Sequence, residues 1–151
     1  MGKILVVYHT QSGNTEAMAQ AVAQGAKSVP GTEVSYKKAL EADTEDLLNC
    51  DGVAIGSPDY FSYMAGALKD FFDRTYYPTQ GKVTGKPYAA FVSAGGSGRP
   101  AANSIESMCD SFRLKRVADP VLAGGKPSPG VLEDCRKLGR TLAEAVSKAT
   151  T

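Results

Sequence analysis

The sequence predicts an α/β fold in which a parallel sheet is covered by helices on both faces. Short apolar runs alternate along the chain with segments whose apolar residues recur every three or four positions, as strand–helix–strand units require. The first run, Ile4-Leu5-Val6-Val7-Tyr8, is apolar throughout, as a strand buried on both faces must be. It turns sharply into a helical pattern that opens at Glu16. Crossovers between such strands are expected to be right-handed.

The first strand is expected over residues 3–8. Ala17, Met18, Ala21, Val22, Gly25 and Ala26 then recur at helical spacing until Pro30-Gly31 stops the helix. Val34-Ser35-Tyr36 alternates like a strand nearer an edge, with Lys37 and Lys38 emerging into water. Residues 43–49 form a short amphipathic turn or helix, with Asp43 as its cap and Leu47 and Leu48 facing inward. A third strand covers residues 51–56 and ends in Ser57-Pro58. Residues 64–74 make a strong helix: Ala67, Leu68, Phe71 and Phe72 line one face, and Lys69, Asp70, Asp73 and Arg74 the other. Residues 76–85 read as a polar connection, and a fourth strand follows over 88–92. After a helix at about 101–112 comes a weaker fifth strand, 117–122, where Pro120 is more tolerable at an edge. Gly124-Gly125-Lys126-Pro127 breaks the chain before a last helix, 129–148, with Leu132, Cys135, Leu138, Leu142 and Val146 facing inward.

The bulk numbers narrow the function. The 151 residues suit one domain, 1–151, long enough to bury a core. Hydrophobic content of 42% and charged content of 22% are those of a soluble globular protein. A net charge of +1 without a Lys/Arg cluster argues against nucleic acid as a partner. Cys50, Cys109 and Cys135 fit no metal-ligand spacing and read as reduced core or surface residues, so no metal is expected. No apolar run approaches membrane-spanning length and no leader pattern precedes the first strand. A cytoplasmic protein is expected, while the oligomeric state stays open.

In a parallel sheet the loops after each strand emerge at the carboxyl edge, where ligands bind. Three of those loops are distinctive here. The first is Thr10-Gln11-Ser12-Gly13-Asn14-Thr15. Unpaired amides at a helix N-terminus, three hydroxyls and a glycine that lets the backbone come close are what a phosphate needs. The loop has no lysine and is not the Gly-x-x-x-x-Gly-Lys-Ser/Thr pattern, so it suits a monophosphate held by amides and hydroxyls. An ordinary N-cap would explain one of these residues and not all six. The second loop, Ser57-Pro58-Asp59-Tyr60-Phe61-Ser62-Tyr63, is crowded with aromatics; its plainer explanation is a satellite core. The third, Ser93-Ala94-Gly95-Gly96-Ser97-Gly98, offers a backbone-lined slot, or a flexible linker. Together on one edge they describe a site for a phosphorylated planar ring.

Strand, Thr-x-Ser-Gly-Asn-Thr, helix resembles the phosphate loop of flavodoxins and of flavodoxin-like reductases that bind FMN. The resemblance extends to Gly56-Ser57-Pro58, Gly85-Lys86-Pro87 and Cys135-Arg136-Lys137-Leu138-Gly139, and so covers essentially the whole chain. It implies a flavodoxin-like three-layer sandwich with a five-stranded parallel sheet of order 2-1-3-4-5, the order known for that family, with FMN at the switch point. It also implies that Thr10, Gln11, Ser12, Gly13, Asn14 and Thr15 hold the FMN phosphate. Ser57, Pro58, Asp59, Tyr60 and Phe61, with Ser93, Ala94, Gly95, Gly96, Ser97 and Gly98, would flank the isoalloxazine. The chemistry would belong to the flavin, so no catalytic acid or base is expected. His9 would be a structural neighbour.

Three departures separate the sequence from one-electron carriers of that family. Many carriers are strongly acidic, whereas this chain is near neutral, so steering toward basic partners is weak. Carriers commonly place a glycine in the loop after the third strand, where a backbone flip accommodates the singly reduced flavin; residues 57–64 have none. Carriers often stack an aromatic from the fourth-strand loop on the flavin, and residues 93–98 have none. Pro58-Asp59-Tyr60-Phe61 resembles the Pro-x-x-Phe turn of FMN-dependent quinone reductases of the tryptophan-repressor-binding-protein type, although those proteins are longer. A two-electron, NAD(P)H-linked quinone-type reductase is therefore favoured over a carrier that serves a redox partner protein. A flavodoxin-like binding module without cofactor is the remote alternative, against which the complete phosphate loop argues.

Overall fold

The computed structural model describes residues 2–149. In chain order these form β1 (Gly2–Tyr8), α1 (Asn14–Lys27), β2 (Thr32–Lys38), α2 (Thr44–Asn49), β3 (Gly52–Pro58), α3 (Gly66–Thr79), β4 (Pro87–Ala94), α4 (Arg99–Ser111), β5 (Lys115–Arg116), β6 (Val121–Gly124) and α5 (Pro129–Ala149). The sheet order is β2-β1-β3-β4-β5, all pairs parallel, with β6 also on β4. This is the flavodoxin-like order the resemblance implies.

Side-chain parity along the strands divides the core into two layers. Leu5, Val7, Val53, Ile55, Tyr88, Ala90 and Val92 face α3 and α4. Ile4, Val6, Tyr8, Ala54, Ala89 and Phe91 face α1 and α5. The α1–α5 contact is the most extensive between helices, and glycine makes it close. A Cβ at Gly25 would overlap the Arg136 carbonyl, and one at Gly139 would overlap that of Val22. That contact fixes the axis of α1, and hence where its N-terminus points.

Two expectations are corrected. The helix expected over 64–74 runs from Gly66 to Thr79 and absorbs part of the supposed polar connection. Thr75 and Thr79 turn their hydroxyls back onto the carbonyls of Phe71 (2.8 Å) and Thr75 (2.7 Å), and Tyr76 packs edge-on against Phe112. Their polar groups are thereby satisfied within the helix. The expected fifth strand, 117–122, is instead two short ones flanking Val117–Pro120. Tyr88 pairs with Arg116 and Phe91 with Val121, so residues 117–120 stand opposite Ala89 and Ala90 alone. Pro120 has no N–H for the ladder and falls within this bulge.

Two long side chains complete the scaffold. Lys86 donates from Nζ to the carbonyls of Leu47 (3.1 Å), Leu48 (2.8 Å) and Cys50 (2.7 Å), closing the C-terminal end of α2. Arg74 holds the loop after β2 through the carbonyls of Ala42 and Ala39. Among the described residues no helix is long and apolar enough to cross a membrane.

Candidate functional site

The loop from β1 into α1 is anchored on both sides. His9 donates its amide to the Gly56 carbonyl (3.1 Å), and Ala17 donates to Gly13 (3.0 Å). Gly13 takes the cap position of α1 at φ 98°, a left-handed conformation that glycine reaches without Cβ strain. No side chain caps the helix, so the ordinary N-cap explanation does not describe this loop. Thr10 Oγ1 accepts the Gly13 amide at 3.0 Å. The amides of Ser12, Asn14, Thr15 and Glu16 meet no acceptor among the described residues, and the helix dipole adds positive potential there. The helix opens at Asn14, two residues before the sequence pattern suggests.

The loop after β3 is a tight two-residue hairpin. Tyr60 and Tyr63 exchange both backbone hydrogen bonds, at 2.9 and 3.2 Å. Phe61 (φ 56°) and Ser62 (φ 66°) occupy the turn between them. Two successive positive φ values define the type of turn that normally takes Asn or Gly. For Phe61 and Ser62 the conformation costs about 1–2 kcal/mol each. Asp59 holds it in place: one carboxylate oxygen accepts from the Ser62 amide (2.9 Å) and the other from the Ala101 amide (3.2 Å) at the start of α4. The Asp59 amide donates to the Ser93 carbonyl (2.8 Å).

The aromatics of this loop do not form a satellite core. Phe61 is fully exposed and Tyr63 exposed, while Tyr60 is half-buried against the core. Tyr60 donates its hydroxyl to Gln11 Oε1 at 2.6 Å, tying this turn to the loop before α1, and burial pushes its phenol pKa up. The His9 ring meets Tyr60 edge-on at 6.1 Å. Burial, and then the Lys38 charge, lower the His9 pKa. Ser57 is fully buried with its hydroxyl engaged, accepting from Ala65 N (2.8 Å) and donating to Pro58 O (2.7 Å). It shapes the turn and offers no free group.

The loop after β4 is bare backbone. Gly95, Gly96 and Ser97 are exposed, and Gly98 (φ 76°) caps α4. A Cβ at Gly95 or Gly96 would meet nothing within 4 Å, so these residues face open space. A cleft of about 260 Å³ lies here, walled by Asp59, Ser62, Ala94, residues 95–98 and Pro100. No aromatic lines it. A larger hollow of about 600 Å³, between Tyr76, Gln80 and Arg113, sits at the C-terminal ends of α3 and α4, the opposite end of the molecule. It includes none of the three loops.

Ser93 does not join that cleft. Its side chain is buried and its Oγ lies 2.7 Å from Thr15 Oγ1, on the side of the first loop. The sequence marks Gly124 and Gly125 only as a break, yet both reach this edge. Gly125 donates its amide to the Ala94 carbonyl (2.7 Å), and Gly124 lies against the Gly96 carbonyl. The signal was available, since the loop after the last strand emerges on the same edge. Cys50, Cys109 and Cys135 are buried and free, and burial raises their thiol pKa values, to about 11 for Cys50 and about 12 for Cys135. They are thiols, not thiolates, at neutral pH.

This donor set fits FMN. Open amides and hydroxyls, with no cationic side chain in the first loop, match a phosphate monoester held at a helix N-terminus. Gly95 and Gly96, with no Cβ, leave room for a flat ring against the backbone. Comparison with known proteins agrees. The family model for NADPH-dependent FMN reductase matches residues 30–124. A flavodoxin of Aquifex aeolicus (strain VF5) is 41% identical, over 97% of this chain and 88% of its own. An NAD(P)H dehydrogenase (quinone) of Acidithiobacillus ferrooxidans is 37% identical, over 62% of this chain and 57% of its own. Among solved structures, a flavodoxin from the Archaea shares 32% identity and a TM-score of 0.85, covering 96% of this chain and 99% of that one.

Proposed function

The chain belongs to the flavodoxin-like family of FMN-dependent redox proteins, and from that premise we propose that it is a two-electron reductase. It takes reducing equivalents from NAD(P)H and passes them to a flat, quinone-type acceptor. The observation that supports this reading is the glycine-walled cleft, which no aromatic side chain covers. FMN supplies the hydride and electron chemistry when bound.

The chain's own residues bind and orient. The open amides of the first loop, with Thr10 and Ser12, hold the phosphate. Pro58 to Phe61 and Ala94 to Gly98 flank the ring, on a backbone that Ser57 and Asp59 pin. The Tyr60–Gln11 hydrogen bond keeps the phosphate loop and the ring loop at a fixed spacing. No side chain in the cleft is required as a general acid or base.

A one-electron carrier is the second reading, and two observations favour it. Phe61 and Ser62 already hold the positive φ values that carriers commonly obtain from glycine. The chain also spans 57% of the quinone dehydrogenase but 88% of the Aquifex flavodoxin. Stepwise dithionite reduction, followed by absorbance, separates the two. The reductase passes from oxidised to fully reduced flavin and turns over quinone with NAD(P)H. A large, stable one-electron-reduced absorbance band, with slow NAD(P)H turnover, overturns the reductase in favour of the carrier.

A further inference from the structure

We propose that Ser93 is a positioning residue for the FMN phosphate, acting through Thr15, and not part of the ring wall. Strand parity places it there. Ser93 shares the face of Ala89 and Phe91, which pack against α1 and α5, whereas Tyr88, Ala90 and Val92 face the other layer. Its Oγ accordingly lies 2.7 Å from Thr15 Oγ1, a contact between residues 78 apart in sequence.

The pair has an unbalanced set of hydrogens. Each hydroxyl has one hydrogen to donate, and the two are bonded only to each other. One donates to its partner; the other O–H is left without an acceptor among the described residues. Thr15 is 1% exposed and Ser93 5%, so little water reaches that hydrogen. A buried donor without a partner is unfavourable, and an acceptor at the site removes the cost. Thr15 lies in the first turn of α1, between Asn14 and Glu16, whose amides are also open. The donors therefore converge on one anion. When Ser93 donates to Thr15, the Thr15 hydrogen is the one left over. Ser93 thus fixes the Thr15 hydroxyl as a donor toward the phosphate.

The inference rests on the FMN-binding reading, so the test separates the two. Affinities for FMN and for riboflavin, which lacks the phosphate, are measured by flavin fluorescence for the full chain and for Ser93→Ala, Thr15→Val and the double variant. Ser93→Ala is expected to weaken FMN roughly five- to tenfold, the effect of one mispositioned hydrogen bond, and to leave riboflavin unchanged. In the Thr15→Val background the same substitution is expected to add nothing, because the hydroxyl it orients is gone. Thermal melting of each variant registers any loss of stability. Equal weakening of FMN and riboflavin, an unchanged FMN affinity, or additive effects in the double variant overturns the inference. An unmodified chain that binds FMN no better than riboflavin overturns the phosphate site itself.

Discussion

The phosphate loop and the aromatic turn stand side by side on one sheet edge, yet they are held by opposite means. Residues 10–15 are organised locally: Thr10 accepts the Gly13 amide three residues on, and glycine takes the only left-handed position. The turn at Phe61–Ser62 is imposed from a distance. Asp59 reaches the Ala101 amide, 42 residues away, and the Ser93 carbonyl, to keep two non-glycine residues at positive φ. The first loop is low in strain and leaves its amide donors open. The second stores strain beside the cleft. In the proposed function, affinity for the phosphate would rest on the first loop and contact with the ring on the second.

Ser12→Ala tests the first half of that contrast and should give the largest effect. Ser12 is exposed and its hydroxyl has no partner among the described residues, so stability should not move. FMN binding should weaken by about 1.5–3 kcal/mol, the value of a hydrogen bond to a charged group. Titration with FMN, beside urea denaturation of the unliganded protein, checks both parts. A variant that loses stability but keeps its FMN affinity would make the loop structural.

Ser62→Gly tests the second half and should act in the other direction. Relief of the positive φ should stabilise the unliganded chain by about 1 kcal/mol. A shift of the urea midpoint to higher concentration is the expected result, with FMN's phosphate-dependent affinity unchanged. A destabilised variant would mean that the turn is not strained at this position.

The smallest effect concerns His9, between the two loops. Its folded pKa lies below the ordinary 6.5, first through burial and then through Lys38. The unfolded chain therefore binds the proton more readily, and stability must rise with pH across the window between the folded value and 6.5. The His9 contribution is complete above about pH 6.5 and is lost as pH falls below it. Stability measured at pH 7.5 and 5.5 should fall less in His9→Asn than in the unmodified chain. An identical fall in both would remove His9 from the account.

The same contrast explains what was legible in the sequence. The open N-terminus of α1 was readable because its determinants are consecutive residues, and the fold because apolar runs such as Ile4–Tyr8 alternate with helical patterns. The turn was not readable, since nothing local tells Phe61 and Ser62 to adopt positive φ; Asp59, Ser93 and Ala101 decide it together. Tyr76 and Pro78 read as a connection because the hydroxyls of Thr75 and Thr79 satisfy themselves only once the helix exists. Pro120 signalled an edge correctly but not the bulge that splits the last strand. The direction of Ser93 could have been found from period-two parity with Phe91, a signal that assignment to a glycine loop obscured.

In the proposed arrangement the phosphate sits on the first loop while the ring lies between the other two. Backbone amide chemical shifts of the chain loaded with FMN, compared with those of the chain loaded with riboflavin, locate the phosphate directly, because the two ligands differ only there. The largest differences are expected on Ser12, Gly13, Asn14, Thr15 and Glu16. Tyr60, Phe61, Ser62 and Gly95–Gly98 are expected to shift alike with both ligands. Largest differences on the aromatic turn or the glycine loop, or differences spread evenly over all three, would contradict it.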